Sequence, residues 1–86
     1  MIANVRYRKY VAITTSDTVD FVSQKGGPDV LCDAIYVGGA GIVQAVREDG
    51  TVVPFTCVAG QILPIQARRV NSTSTTATLM NALYAL

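Results

Sequence analysis

Short runs rich in valine, isoleucine, threonine and tyrosine, cut by glycine, proline or aspartate about every ten residues, fill most of this chain. Runs that short cannot make the helices of a bundle, so the spacing predicts an all-β domain. With 86 residues there is room for one domain and no more. Half of the residues are hydrophobic and 15% are charged, a balance that folds and is not that of a disordered segment. A domain this small hides only about two-thirds of its unfolded surface, which makes oligomerisation a natural source of further burial.

The residues divide into a basic arm, 1–9, and a β domain, 10–86. Tyr10 to Thr14 is a first predicted strand and Thr18 to Val22 a second, with Val19 and Phe21 on one face and Thr18 and Asp20 on the other. Gly26-Gly27-Pro28-Asp29 is a turn. Val30 to Val37 is apolar apart from Asp33 and reads as a strand buried on both faces for part of its length, ended by a turn at Gly38-Gly39-Ala40-Gly41. Ile42 to Glu48 and Thr51 to Val58 flank Asp49-Gly50, the signature of a two-residue hairpin. Val53, Phe55 and Cys57 share the inner face of its second arm, and Pro54, lacking a donor, marks an edge or bulge. After Ala59-Gly60-Gln61, Ile62 to Val70 reads as one strand with Ile65 and Ala67 inward, and Asn71 to Thr76 as an exposed loop. In Ala77 to Leu86 the spacing of Leu79, Leu83 and Leu86 suits a helix, but Thr78 and Tyr84 favour a strand, which the rest of the chain supports. The expected fold is a small antiparallel β-sandwich or barrel of about seven to eight strands.

Histidine is absent, which removes imidazole-based nucleophile activation and imidazole metal ligands. The nearest carboxylate pairs, Asp17 with Asp20 and Glu48 with Asp49, sit at turns and strand starts, where solvated carboxylates are common. Asp33 reads as outward-facing or bonded to backbone or arginine. The glycine cluster lacks both the lysine of a phosphate loop and a following helix. No cysteine pair has metal-site spacing, and Cys32 and Cys57 read as two buried thiols. The expectation is a non-enzyme without cofactors or metal.

Two basic clusters remain as candidate partner-binding residues: Arg6, Arg8 and Lys9 in the arm, and Arg68 with Arg69. Tyr7 and Tyr10 beside the first would suit single-stranded nucleic acid, but a net charge of +1 and few aromatics disfavour that partner. Arginine pairs well with carboxylates of a protein partner. The opening residues lack the apolar stretch of an export signal, and no apolar run is long enough for a membrane helix, so neither export nor a membrane partner is expected.

The order of segments resembles the small spike-base proteins of tailed bacteriophages and gene transfer agents. The resemblance runs from Ser16-Asp17-Thr18 with Phe21, through Asp33-Ala34-Ile35-Tyr36-Val37-Gly38-Gly39-Ala40-Gly41, to Asp49-Gly50 with Val53 and Phe55. It continues in Ala59-Gly60-Gln61-Ile62-Leu63-Pro64-Ile65, Arg69-Val70, Thr75-Thr76-Ala77 and Ala82-Leu83-Tyr84. Val58 stands where that family often has proline, and Ser74 where it often has glycine. The resemblance implies a structural virion protein, made in the host cytoplasm and carried on the capsid surface. It would attach a spike or fibre to the head at fivefold vertices, as a pentamer, with the major capsid protein and the spike or fibre protein as partners. The competing reading is a small β domain that binds a ligand, an oligosaccharide or single-stranded nucleic acid.

Overall fold

The computed structural model describes residues 6–86, and the first five residues of the arm lie outside them. The described chain has no helix and forms seven strands: β1 (Lys9–Ala12), β2 (Ala34–Gly39), β3 (Gly41–Val46), β4 (Val52–Cys57), β5 (Gln61–Leu63), β6 (Arg69–Val70) and β7 (Thr78–Tyr84). They make two antiparallel sheets, one of four strands in the order β1-β7-β2-β5 and one of three in the order β4-β3-β6. The expected all-β fold is thus present, as two sheets rather than one closed cylinder.

Alternation builds the core. Ile35 and Val37 of β2, Met80, Ala82 and Tyr84 of β7 and Leu63 of β5 join Val43 and Ala45 of β3, Cys57 of β4 and Val70 of β6 in one buried cluster. Ala34 and Ile35 are adjacent and both buried, so β2 is covered on two faces, as its apolar run predicts. Both cysteines are buried free thiols. Burying each large aliphatic side chain contributes about 1.5–3 kcal/mol, so this shared cluster holds the sheets together.

The glycine cluster is not a turn. Gly38 and Gly39 complete β2, Ala40 alone lies outside a strand, and Gly41 opens β3 in the other sheet. The chain therefore stays extended and passes from one sheet to the other. This crossing presses Gly41 against the segment entering β7: a Cβ at Gly41 would lie 2.5 Å from the Ala77 nitrogen and 2.7 Å from the Thr76 carbonyl carbon. A second crossing divides the strand expected over Ile62 to Val70. Pro64 follows β5, and the chain re-enters the other sheet as β6. Ala67 is still buried and Ile65 still packs on the core, so the inward alternation survives the break.

The run Thr18 to Val22 is no strand, and Val19 is 67% exposed. The Ser16 hydroxyl accepts from the amides of Thr18 and Val19 at 3.2 and 2.9 Å, and such local bonds compete with a ladder. Phe21 nevertheless packs on the core, its amide donating to the Arg68 carbonyl. Likewise Val30 to Asp33 stays outside β2, although the amides of Cys32 and Asp33 donate to the carbonyls of Ala67 and Leu83.

The β3–β4 hairpin forms, with a loop one residue longer than expected. Arg47 donates to Thr51 and Gly50 to Arg47, which leaves Glu48-Asp49-Gly50 as the loop, with Gly50 at φ 93°. Pro54 lies on β4, an edge strand, as its missing donor predicts. The last run forms β7 at the centre of its sheet, where β-rich surroundings override the helical spacing of its leucines. Asn71 to Thr76 is irregular, but Thr76 and Thr75 accept from the amides of Ile42 and Gln44 at 2.8 and 3.1 Å. Ser74 adopts φ 65°, a conformation that favours glycine.

Candidate partner-binding surfaces

The arm meets the domain smoothly. The Arg8 amide donates to the Tyr84 carbonyl at 3.0 Å and Lys9 begins β1, so residues 8–12 run along the edge of the four-stranded sheet. Arg6, Arg8 and Lys9 are exposed, Tyr7 is half-buried, and these three cations enter no ion pair among the described residues.

Arg68 and Arg69 behave differently. The Arg68 Nε and Nη2 donate to one oxygen of Asp20 at 3.0 and 2.7 Å, and the Arg69 Nη1 donates to the other at 2.8 Å. Arg68 also reaches the Glu48 carbonyl at 3.1 Å, and the Arg69 Nε reaches Asn71. Backbone bonds aim them: Arg68 donates to Val46 and accepts from Phe21, which carries the Asp20 segment to the strand end. Asp20 is thus a clamped ion-pair partner and not the solvated carboxylate that its turn context suggests. Its bonds from Arg68 hold its pKa below the ordinary carboxylate value, against burial and with help from Arg69.

The other aspartates also hold their own chain. Asp17 accepts from the Thr73 hydroxyl and amide at 2.6 and 3.0 Å, joining the Ser/Thr loop to the segment after β1. Asp33 accepts from Lys25 at 2.8 Å, Gln66 at 3.2 Å and the Ala85 amide at 2.7 Å, a set bonded to backbone and to a lysine. Burial raises its pKa, but those donors outweigh it and the net shift is downward. Asp49 accepts from the Thr51 amide, which lowers its pKa too. Among the described residues no group of three or more acidic or cysteine side chains gathers to hold a metal. Burial pushes both thiols up, so they are protonated and weakly nucleophilic near neutrality.

These shifts set a pH profile. The depressed aspartates stabilise the fold above their unfolded pKa of about 3.9, and that contribution is lost as pH falls through the lower folded values. Burial raises the Tyr84 phenol to about 12, so its contribution is intact below its unfolded value near 10 and is lost as pH rises through the folded one. With no histidine, melting temperature measured by circular dichroism should be flat from about pH 5 to 8 and fall below about pH 4. A steep change near pH 6.5 would contradict this assignment.

A groove of about 440 Å³ opens between β1 and the segment that follows it. Val11, Ile13, Val19, Phe21 and Val22 line it above Ala82 and Tyr84, and Val19 and Val22 are 67% and 77% exposed. Its aromatic members are Phe21 and the buried Tyr84. Tyr10 and Leu79 of the same sheet are also exposed, at 71% and 79%. Sequence reading identified the basic clusters but missed this groove, whose walls come from one true strand and one segment wrongly expected to be a strand.

Fold and surface together define a small two-sheet β domain whose acidic groups tie down its own loops while several apolar side chains stay exposed, Tyr10, Val19 and Val22 at or beside β1 among them. The chain matches no protein-family profile and no curated protein. It is similar to a chain of a structure described as the capsid of a native GTA particle computed with C5 symmetry, at 31% identity and a TM-score of 0.77, over 91% of this chain and 83% of that one. The protein belongs to this family of capsid-related proteins of phages and gene transfer agents.

Proposed function

We propose that this protein is a structural component of the virion, seated on the capsid surface as the base that attaches a spike or fibre to the head. The observation that carries the structural role is the kinship with a chain of the GTA capsid, which spans nearly the whole domain. The finer reading rests on the order of segments from Ser16 to Tyr84, which resembles that of spike-base proteins, and on the surface. A rigid two-sheet body with an exposed apolar edge and a basic arm suits contact with neighbouring polypeptides. A pentamer at the fivefold vertices fits a ring of identical head-to-tail contacts, which also covers open sheet edges.

In this reading the body turns over no substrate. Arg6, Arg8 and Lys9 supply cations to carboxylates of the major capsid protein, and Arg68 and Arg69, held in place by Asp20, add a fixed positive rim. Changing Arg6, Arg8 and Lys9 together to serine should weaken binding to particles that lack the native protein by about tenfold, read by co-sedimentation, with a shallower salt dependence. Unchanged binding and salt dependence would remove the arm as an anchor.

A further inference from the structure

The two sheets have four edge strands, β1, β5, β4 and β6, and three of them are closed to further pairing. β4 carries Pro54; β5 is three residues long and runs into Pro64; β6 is flanked by Ser16 and Phe21, whose amides donate to Val70 and Arg68 at 2.9 and 2.8 Å. β1 has none of these protections. Its four residues are exposed, none is proline, and among the described residues no segment pairs with its far side. The Ile13 amide donates to Met80 on the β7 side, so by ladder alternation Val11 also faces β7 while Tyr10 and Ala12 turn their N–H and C=O groups outward. The apolar groove lies beside this open edge.

We propose that β1 and this groove accept the N-terminal segment of a neighbouring copy as an added β-strand. The proposal rests on the reading that copies of this chain ring a vertex, and it names the contact that closes the ring. The occupant is argued from the sequence: Met1, Ala3, Val5 and Tyr7 are apolar and alternate with Asn4, Arg6 and Arg8, leaving Ile2 as the one apolar exception. Such a strand places one row of side chains in the groove, against Val11, Val19 and Val22, and leaves the arginines on its other face for the capsid. The segment leads directly into β1, and no glycine, proline or aspartate lies between Val5 and Lys9 to turn it back onto its own edge. Arg8 is the first residue bonded to β7, so residues 1–7 are left to reach outward, and seven extended residues span about 23 Å. That matches the 22–30 Å dimensions of the domain, so the segment reaches an adjacent copy. Each copy offers one donor segment and one acceptor edge, and contacts of that kind close into a ring.

Two full-length variants test it by sedimentation equilibrium. Ala12→Pro removes an outward-facing amide without touching the bonds to β7, and Ala3→Asp with Val5→Asp places charge on the groove-filling row of the donor. With melting temperatures close to that of the unaltered protein, each variant alone should sediment as the 9.1 kDa single chain, whereas the unaltered protein forms a larger ring. Their equimolar mixture should give a dimer, because one variant keeps a donor and the other an acceptor. Ring formation by either variant, a mixture that stays monomeric, or an unaltered protein that is monomeric at every concentration would each overturn the strand exchange. Mass spectrometry of purified particles separates this from the parent reading. A chain present in particles whose Ala12→Pro variant still forms rings sinks only the exchange, and a chain absent from particles sinks the virion role itself.

Discussion

Gly41→Ala should lower the stability of the domain by about 3 kcal/mol or more, enough to move its melting temperature down by roughly 12–24 °C. The reason is geometric. The methyl group would lie 2.5 Å from the Ala77 nitrogen, 2.7 Å from the Thr76 carbonyl carbon and 2.8 Å from the Ala77 Cα, all of them backbone atoms fixed by the entry into β7. The Thr76 and Ala77 amides both donate to the Ile42 carbonyl, so moving that segment breaks the bonds that seat it on β3. Gly60→Ala is the control: Gly60 has φ 83° but nothing within 4 Å of an added Cβ, so only a conformational cost of about 1–2 kcal/mol applies. Equal melting temperatures for the two variants would mean that close approach at the sheet crossing is not what requires glycine at position 41.

Asp20→Ala should have the second-largest effect, a loss of roughly 5–10 °C in melting temperature. Asp20 is the shared acceptor of two adjacent guanidinium groups, and the Arg69 side chain is only 19% exposed. Removing the carboxylate leaves two like charges together and unhooks the segment that carries Phe21 onto the core. Asp20→Asn keeps the shape and loses the charge, and should fall between the two. In Asp20→Ala the decline in stability below about pH 4 should also be shallower, since one depressed carboxylate is gone. A variant with unaltered melting temperature and acid profile would show that the cluster is surface ornament.

Both predictions concern features that the sequence conceals. Strands and turns announce themselves locally: Asp49-Gly50 between alternating runs marks the hairpin, Pro54 marks its edge, and Thr78 and Tyr84 keep the last run extended. A glycine needed where two backbones meet, however, reads the same as a glycine in a turn, so Gly38 to Gly41 looked like the end of a strand when it is a passage between sheets. The division of Ile62 to Val70 is similar, because Pro64 is visible but the change of sheet behind it is not.

The candidate partner-binding residues were legible only by type. Arginine clusters are easy to find, but the Asp20 that clamps Arg68 lies 48 residues away, and no local pattern connects them. Ser16 illustrates the same limit. Its hydroxyl captures two nearby amides and undoes a strand that the alternation of Thr18 to Val22 predicts. Undoing that strand leaves Val19 and Val22 exposed beside β1, which creates the groove.

The most direct measurement is cryo-electron microscopy of intact particles that carry this protein, reconstructed without assuming which copies occupy the vertices. The expected result is a ring of two-sheet domains on the outside of each fivefold vertex, beneath the density of a spike or fibre. Particles whose vertices lack this domain, or that carry it at another position with no fibre above it, would contradict the role as a spike base.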